Sequence, residues 1–180
     1  GPNTRLSVLG SLDRRPRIDV PIVGSATTVW SPDGALTVMD SSGAVRRWTS
    51  GGGLESSTVP LAEAPAVAVA LSGDSRRRAM ISGDGLLRIE SLANGTTEHV
   101  EQLDRWIGVQ LFLSPSGDRL VQTGAGGDQR LILREANDWG AKRYLHGHTD
   151  RIGNLRFLPA NQGMLTCSAD GSVRTWRWEG

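Results

Sequence analysis

A repeat of about 42 residues runs through the chain and constrains its fold more than any other feature. Its first landmark is a turn: Ser31-Pro32-Asp33-Gly34, Ser72-Gly73-Asp74, Ser114-Pro115-Ser116-Gly117 and Leu158-Pro159-Ala160-Asn161. These turns start 41, 42 and 44 residues apart. Its second landmark is an alternating run: Ala44 to Trp48, Leu86 to Glu90, Arg130 to Arg134 and Ser172 to Trp176. Val45, Leu87, Leu131 and Val173 in those runs are spaced by 42, 44 and 42. Scattered Ser, Pro and Gly would not keep two landmarks in phase. A unit of this length buries its apolar faces against copies of itself, so the repeats must stack or form a ring.

Each unit reads as strands. The apolar segments are short and rich in Val, Ile, Leu and Thr. Turn residues separate them: Ser42-Gly43, Asp84-Gly85, Gly126-Gly127-Asp128 and Asp170-Gly171. No window of a dozen residues holds a 3.6-residue apolar period, and Pro65 breaks the nearest candidate, residues 60–71. The expected class is all-β, built from small antiparallel sheets. Hydrophobic residues are 38% and charged residues 22% of 180, a globular composition with core enough to fold without staples.

The fourth unit carries a family signature. It runs Leu145-His146-Gly147-His148-Thr149-Asp150, then Ile152 to Pro159, then Met164 to Trp176. The Gly-His dipeptide, Pro-containing turn, Asp-Gly turn and closing Trp resemble the unit of the WD-repeat β-propeller family. The resemblance extends from about Leu6 onward. It implies a propeller of four-stranded antiparallel blades, a to d, with four blades in this chain. It also implies a hydrogen-bond network among His148, Thr166 (or Ser168), Asp170 and Trp176, structural rather than catalytic. The other units depart from the pattern. Trp48 closes the first, but Glu90 and Arg134 stand where a Trp belongs in the second and third. Those two blades are expected to rest on strand pairing and apolar packing.

Strand counting bears on closure. The last c strand lies at the end of the sequence, and residues 17–23 read as a spare d strand. Propellers of this family often use such a strand to complete the C-terminal blade, which removes an exposed edge. Residues 3–9 resemble a further c strand that this closure does not need. Gly1-Pro2 reads as a protease-cleavage scar. The expected division is therefore residues 1–15 as scar plus arm or residual strand, and 16–180 as a four-repeat propeller or half-propeller. Three arrangements are open: two chains pairing as a homodimer into one eight-bladed ring, an open half of a longer propeller, or a closed four-bladed monomer.

Composition excludes several function classes. A net charge of +1 argues against capture of nucleic acid or an anionic membrane. The single Cys167 permits no internal disulfide, and a cytoplasmic location is expected. Nineteen arginines against the one Lys142 read as a high-GC, bacterial genome. His99, His146 and His148 with Asp150 do not complete a ligand set, so no metal and no cofactor are expected. No Gly-x-Ser-x-Gly elbow fixes a nucleophile beside a base. Gly124 to Asp128 lacks the Lys-Ser/Thr ending and the helix of a phosphate loop, and reads as an enlarged b–c turn. Asn94-Gly95-Thr96 reads as a turn rather than a glycosylation site. Arg76-Arg77-Arg78 and Arg14-Arg15-Pro16-Arg17 read as solvated clusters.

Aromatic and Arg side chains are common binding anchors. Trp48 and Trp176 are expected in the core, and Trp30 and Trp178 at blade junctions. Arg105, Trp106, Asp150 and Arg151 stand at the starts of the third and fourth inner strands, where loops form a rim. They are the candidate protein-binding residues, set against packing between blades. The resemblance implies a non-enzymatic scaffold or sensor that presents loops to a protein or peptide. The alternatives are a self-assembly module, or a small-ligand or enzymatic propeller with a central-channel site.

Overall fold

A computed structural model describes residues 4–9, 16–22, 24, 26–31, 33–49, 53–57, 66–126 and 128–178. Seventeen strands lie among the described residues, and the fifteen of the four blades follow the order read from the repeat, with one inner strand shortened. The first hairpin pairs β1 (Thr4–Leu9) with β2 (Pro16–Ile22). Blade 1 is β3 (Ala26–Trp30), β4 (Leu36–Asp40), β5 (Val45–Trp48) and β6 (Leu54–Ser57). Blade 2 is β7 (Ala66–Leu71), β8 (Arg77–Ser82), β9 (Leu86–Ser91) and β10 (Thr97–Gln102). Blade 3 is β11 (Leu111–Leu113), β12 (Arg119–Thr123), β13 (Leu131–Glu135) and β14 (Asp138–Leu145). Blade 4 is β15 (Ile152–Phe157), β16 (Gly163–Ser168) and β17 (Val173–Arg177), with a short 3₁₀ turn, Pro159–Asn161, between its first two strands. Every sheet is antiparallel with its strands in sequence order. The architecture is an all-β propeller of four blades.

The strands form because their alternation matches the period-2 pleat. On β12, Leu120 faces blade 2 and Val121 faces blade 4. The core therefore lies between blades. One cluster joins blades 2 and 3 through Ile81, Leu87, Ile89, Leu111, Leu120 and Trp139. Another joins blades 3 and 4 through Val121, Leu133, Leu155 and Met164, with Trp176 and Trp178 packed against it. Trp48 packs with Leu36 and Val38 in blade 1.

Four expectations need correction. Residues 17–23 do not complete the fourth blade within this chain: β2 pairs with β1, and the fourth sheet is β15-β16-β17. Its neighbour in sequence outcompeted a strand over 150 residues away. The third inner strand starts at Leu111 rather than Ile107, because Gly108 turns the chain at φ +81°. Trp30 is 60% exposed rather than packed away. The triple Arg is not a solvated cluster. Arg76 is exposed, but Arg77 binds Glu98 at 2.9 Å and Arg78 is buried against Glu90. Gly1-Pro2, Arg14-Arg15 and Pro65 lie outside the described residues.

Candidate functional site

Antiparallel alternation puts the loops between blades and the b–c turns at one end of the sheets. That end is the upper face. The loops over residues 103–110 and 146–151, and the turns over 83–85, 124–126 with 128–130, and 169–172, lie there. Backbone bonds tie each loop to the turn of its own blade. Gly126 N–H donates to Ile107 O at 3.2 Å, and Ala169 N–H to Arg151 O at 2.9 Å. Such ties hold loops rigidly over the sheets, as recognition requires.

The four candidate rim residues have different fates. Trp106 folds across the joint of blades 2 and 3, and its indole N–H donates to Gly83 O at 3.2 Å. Its ring covers Gly85, where a Cβ would stand 2.5 Å from the ring in a backbone with φ +87°. Trp106 is thus largely a packing residue. Arg105 is exposed, and its Nη2 would stand 3.1 Å from a Cβ on Gly126. Asp150 turns back on its own loop and accepts the Arg151 backbone N–H at 2.6 Å. Arg151 is exposed and lines a cavity of roughly 360 Å³ between blades 3 and 4, with Ile107, Thr123, Gly126, Asp128 and Ile152. A second cleft, of roughly 220 Å³, lies across the 103–110 loop and takes in Asp104, Arg105, Gln122, Arg130 and Lys142.

Ile107 and Asp128 also belong to this face. Ile107 is 79% exposed, whereas Ile152 of the next blade is 5% exposed. Both follow an Asp-Arg pair, but Trp106 is inserted before Ile107 and displaces it into solvent, and Val109 fills the core instead. That insertion was the available signal. Arg130 grips Asp128 through Nε and Nη2 at 2.9 and 2.6 Å, which holds the Asp128 carboxyl below its ordinary range. Arg105 adds a smaller push in the same direction.

In the fourth blade, His148, Thr166, Asp170 and Trp176 meet in one chain of hydrogen bonds. Trp176 Nε1–H donates to Thr166 Oγ1 at 2.9 Å. Thr166 Oγ1 lies 2.8 Å from His148 Nε2, and His148 Nδ1–H donates to Asp170 Oδ2 at 2.9 Å. The indole can only donate and the carboxylate can only accept, so the two ends of the chain are fixed. Asp170 also accepts from the Ser172 hydroxyl at 2.6 Å and the Thr149 N–H at 3.0 Å. These donors, Ser172 first, hold its carboxyl well below the usual range, against the upward push of burial. Ser172 strengthens the network, and Ser168 bonds Asp150 O instead.

The channel between the inner strands is a different environment. A cavity of roughly 310 Å³ touches all four inner strands, and Thr27, Thr28 and Arg156 supply its polar side chains. No acid–base pair converges there among the described residues. Among the same residues no three His, Cys, Asp or Glu side chains gather into a metal-binding group. No described helix is long and apolar enough to cross a membrane.

Residues 140–177 match the family model described as WD domain, G-beta repeat, which spans the blade holding this network. The chain is 29% identical over 167 residues to human WD repeat-containing protein 90, covering 85% of this chain and 9% of that protein. The fold of 97% of the chain superposes on 51% of the crystal structure of the C-terminal WD40 domain of Sif2, at a TM-score of 0.64 and 20% identity. Residues 140–177 thus carry a WD repeat, and the chain as a whole has the β-propeller fold. It spans about half of the matched solved domain and a small part of the curated relative. WD-repeat propellers generally serve as scaffolds for protein–protein interaction, and typically without enzymatic activity.

Proposed function

We propose that this WD-repeat chain is a non-enzymatic interaction module whose upper face recognises a protein or peptide. The supporting observation is the pairing of rigid backbone ties with exposed anchors. The loops over 103–110 and 146–151 are bonded to their own blades, yet Arg105, Ile107 and Arg151 project from them unburied. Residues 16–180 form the proposed propeller segment, with 1–15 as the arm before it. The proposed setting is the cytoplasm of a bacterium, with no nucleic acid or membrane among the partners. The test is affinity capture from the source cell with cross-linking, comparing Arg105→Glu plus Arg151→Glu with Arg76→Glu on the opposite face. A partner lost only with the upper-face pair supports the reading. A partner lost only with Arg76→Glu, or with neither, sinks it.

A second reading is self-assembly, two chains completing one eight-bladed ring. It is favoured by the three-stranded fourth blade among the described residues and by the match to half of a larger domain. In that ring β2 of one copy would leave β1 and pair with β17 of the other. Light scattering across a concentration series checks it: twice the chain mass of 19.3 kDa supports the ring, and a constant monomer mass refutes it.

A further inference from the structure

We propose that the cavity between blades 3 and 4 on the upper face binds a peptide carrying a carboxylate next to an aliphatic residue. This deepens the interaction reading above and rests on it. Three observations carry the proposal.

The first is charge. Arg151 lines the cavity, and Arg105 reaches its edge over Gly126. Among the described residues neither guanidinium has a carboxylate at ion-pair distance. Among the described residues Asp128 is the one acid lining the cavity, and Arg130 holds it in a two-pronged pair. Asp150 is turned onto its own loop backbone, and Asp104 lines the cleft on the other side of the 103–110 loop. Both guanidiniums are therefore open to a ligand at the mouth. An Arg without a partner at a concave rim is suited to a carboxylate, which it can bind through two donors.

The second is apolar surface. Ile107 stands at the lip with 79% exposure, on a loop whose backbone is fixed by the Gly126 N–H bond to Ile107 O. Its counterpart Ile152 is buried in the cavity wall. A rigid exposed aliphatic beside a cavity matches an aliphatic side chain on the ligand.

The third is shape. Gly108, Gly124, Gly126 and Gly153 all line the cavity. Bare backbone on several sides lets an extended peptide approach closely. A volume of roughly 360 Å³ holds one or two side chains rather than a folded element.

The experiment selects a displayed library of random twelve-residue peptides against the whole immobilised chain, then measures the most enriched peptide by fluorescence anisotropy and amide chemical shifts. The expected outcome is enrichment of Asp or Glu within two positions of Leu, Ile, Val or Met. Shifts should centre on Gly108, Gly126 and Gly153. Arg151→Glu should weaken binding about tenfold or more, and changing the peptide acid to Lys should restore affinity for that variant. Ile107→Ser should weaken it with the melting temperature unchanged, which separates docking from folding. Three outcomes overturn the inference: enrichment of basic or uncharged peptides, acidic peptides that shift only channel or blade 1 resonances, and affinity indifferent to Arg151→Glu. Peptides bound elsewhere on the upper face would leave the interaction reading standing without this site. No selectable peptide at all would count against both.

Discussion

Blade 4 and blades 2 and 3 meet the same structural demand with opposite chemistry. At the end of strand c, Trp48, Glu90, Arg134 and Trp176 occupy equivalent positions. In blade 4 the Trp176 network stays inside its own blade, with Asp170 as its one carboxylate. In blade 2, Glu90 faces Arg78 across the strand pair, both 5% exposed, and Arg78 Nη1 reaches Gly43 O of blade 1. Burial pushes the Arg78 pKa down, and Glu90 offsets only part of that shift. In blade 3, Arg134 is 1% exposed, donates to Trp139 O at 2.8 Å, and has Nη2 2.8 Å from Glu101 Oε2 of blade 2. Lys142 and His99 also converge on Glu101. Burial pushes its carboxyl up, but Lys142, Arg134 and His99 prevail and leave it below its ordinary range. The lesson is one of direction. The signature blade locks itself, whereas the blades without the closing Trp and its His partner are tied to their neighbours by buried charge. Blades 2 and 3 therefore do not rest on apolar packing and strand pairing alone.

The largest way to break this comparison is to remove the carboxylate from a buried ion pair. Glu90→Ala takes its carboxylate away from buried Arg78 and should cost about 3–5 kcal/mol in urea unfolding. Adding Arg78→Met should recover most of that loss, because a well-packed apolar pair often equals a buried ion pair. If the single variant melted like the parent, the ionic tie would be idle.

The matching change in blade 4 is Thr166→Val. It removes the hydroxyl that serves both Trp176 Nε1–H and His148 Nε2, and should cost about 2–4 kcal/mol. Because the network is confined to one blade, amide hydrogen exchange should rise first in β15 to β17. A uniform rise across all blades would show that the lock is not local.

A smaller effect is expected at the joint between blades 2 and 3. Gly85→Ala forces a Cβ into the Trp106 ring at a left-handed backbone position, and about 1–3 kcal/mol should be lost by thermal unfolding. Relief of that loss by Trp106→Ala would assign it to the ring, and its persistence would assign it to the backbone.

Acid should separate the networks most gently. The folded Asp170 carboxyl lies below its ordinary value of 3.8, so the unfolded chain takes up a proton first as pH falls. Its stabilising contribution is complete above about pH 5 and declines below that, toward the depressed folded value. Asp170→Asn should flatten the dependence of stability on pH between about 5 and 3, with little change in slope at neutral pH. An unaltered acid slope would mean that Asp170 carries none of it.

Much of the fold was legible because it is periodic. Two landmarks in phase marked the turns, and Gly or Asp at the turns marked the strand ends. The blade 4 network could be named residue by residue because its members keep the family spacing. The ties of blades 2 and 3 were not legible. Arg78 and Glu90 are twelve residues apart and read as surface charges until β8 and β9 are placed in register. Trp106 looked like a binding anchor because its partner, bare Gly85, is invisible as a partner in a linear reading. Ile107 looked like the first residue of a strand, and only the folded-over Trp106 reveals it as exposed.

The sequence by itself determined the all-β repeat, the strand order within each blade and the blade 4 lock, because these depend on spacing along one chain. Only the tertiary structure decided what the odd residues at the strand ends do. It also decided which edge β2 takes and which loop residues remain in solvent. Those outcomes depend on the juxtaposition of different blades, where one residue's burial is set by a neighbour about 40 positions away.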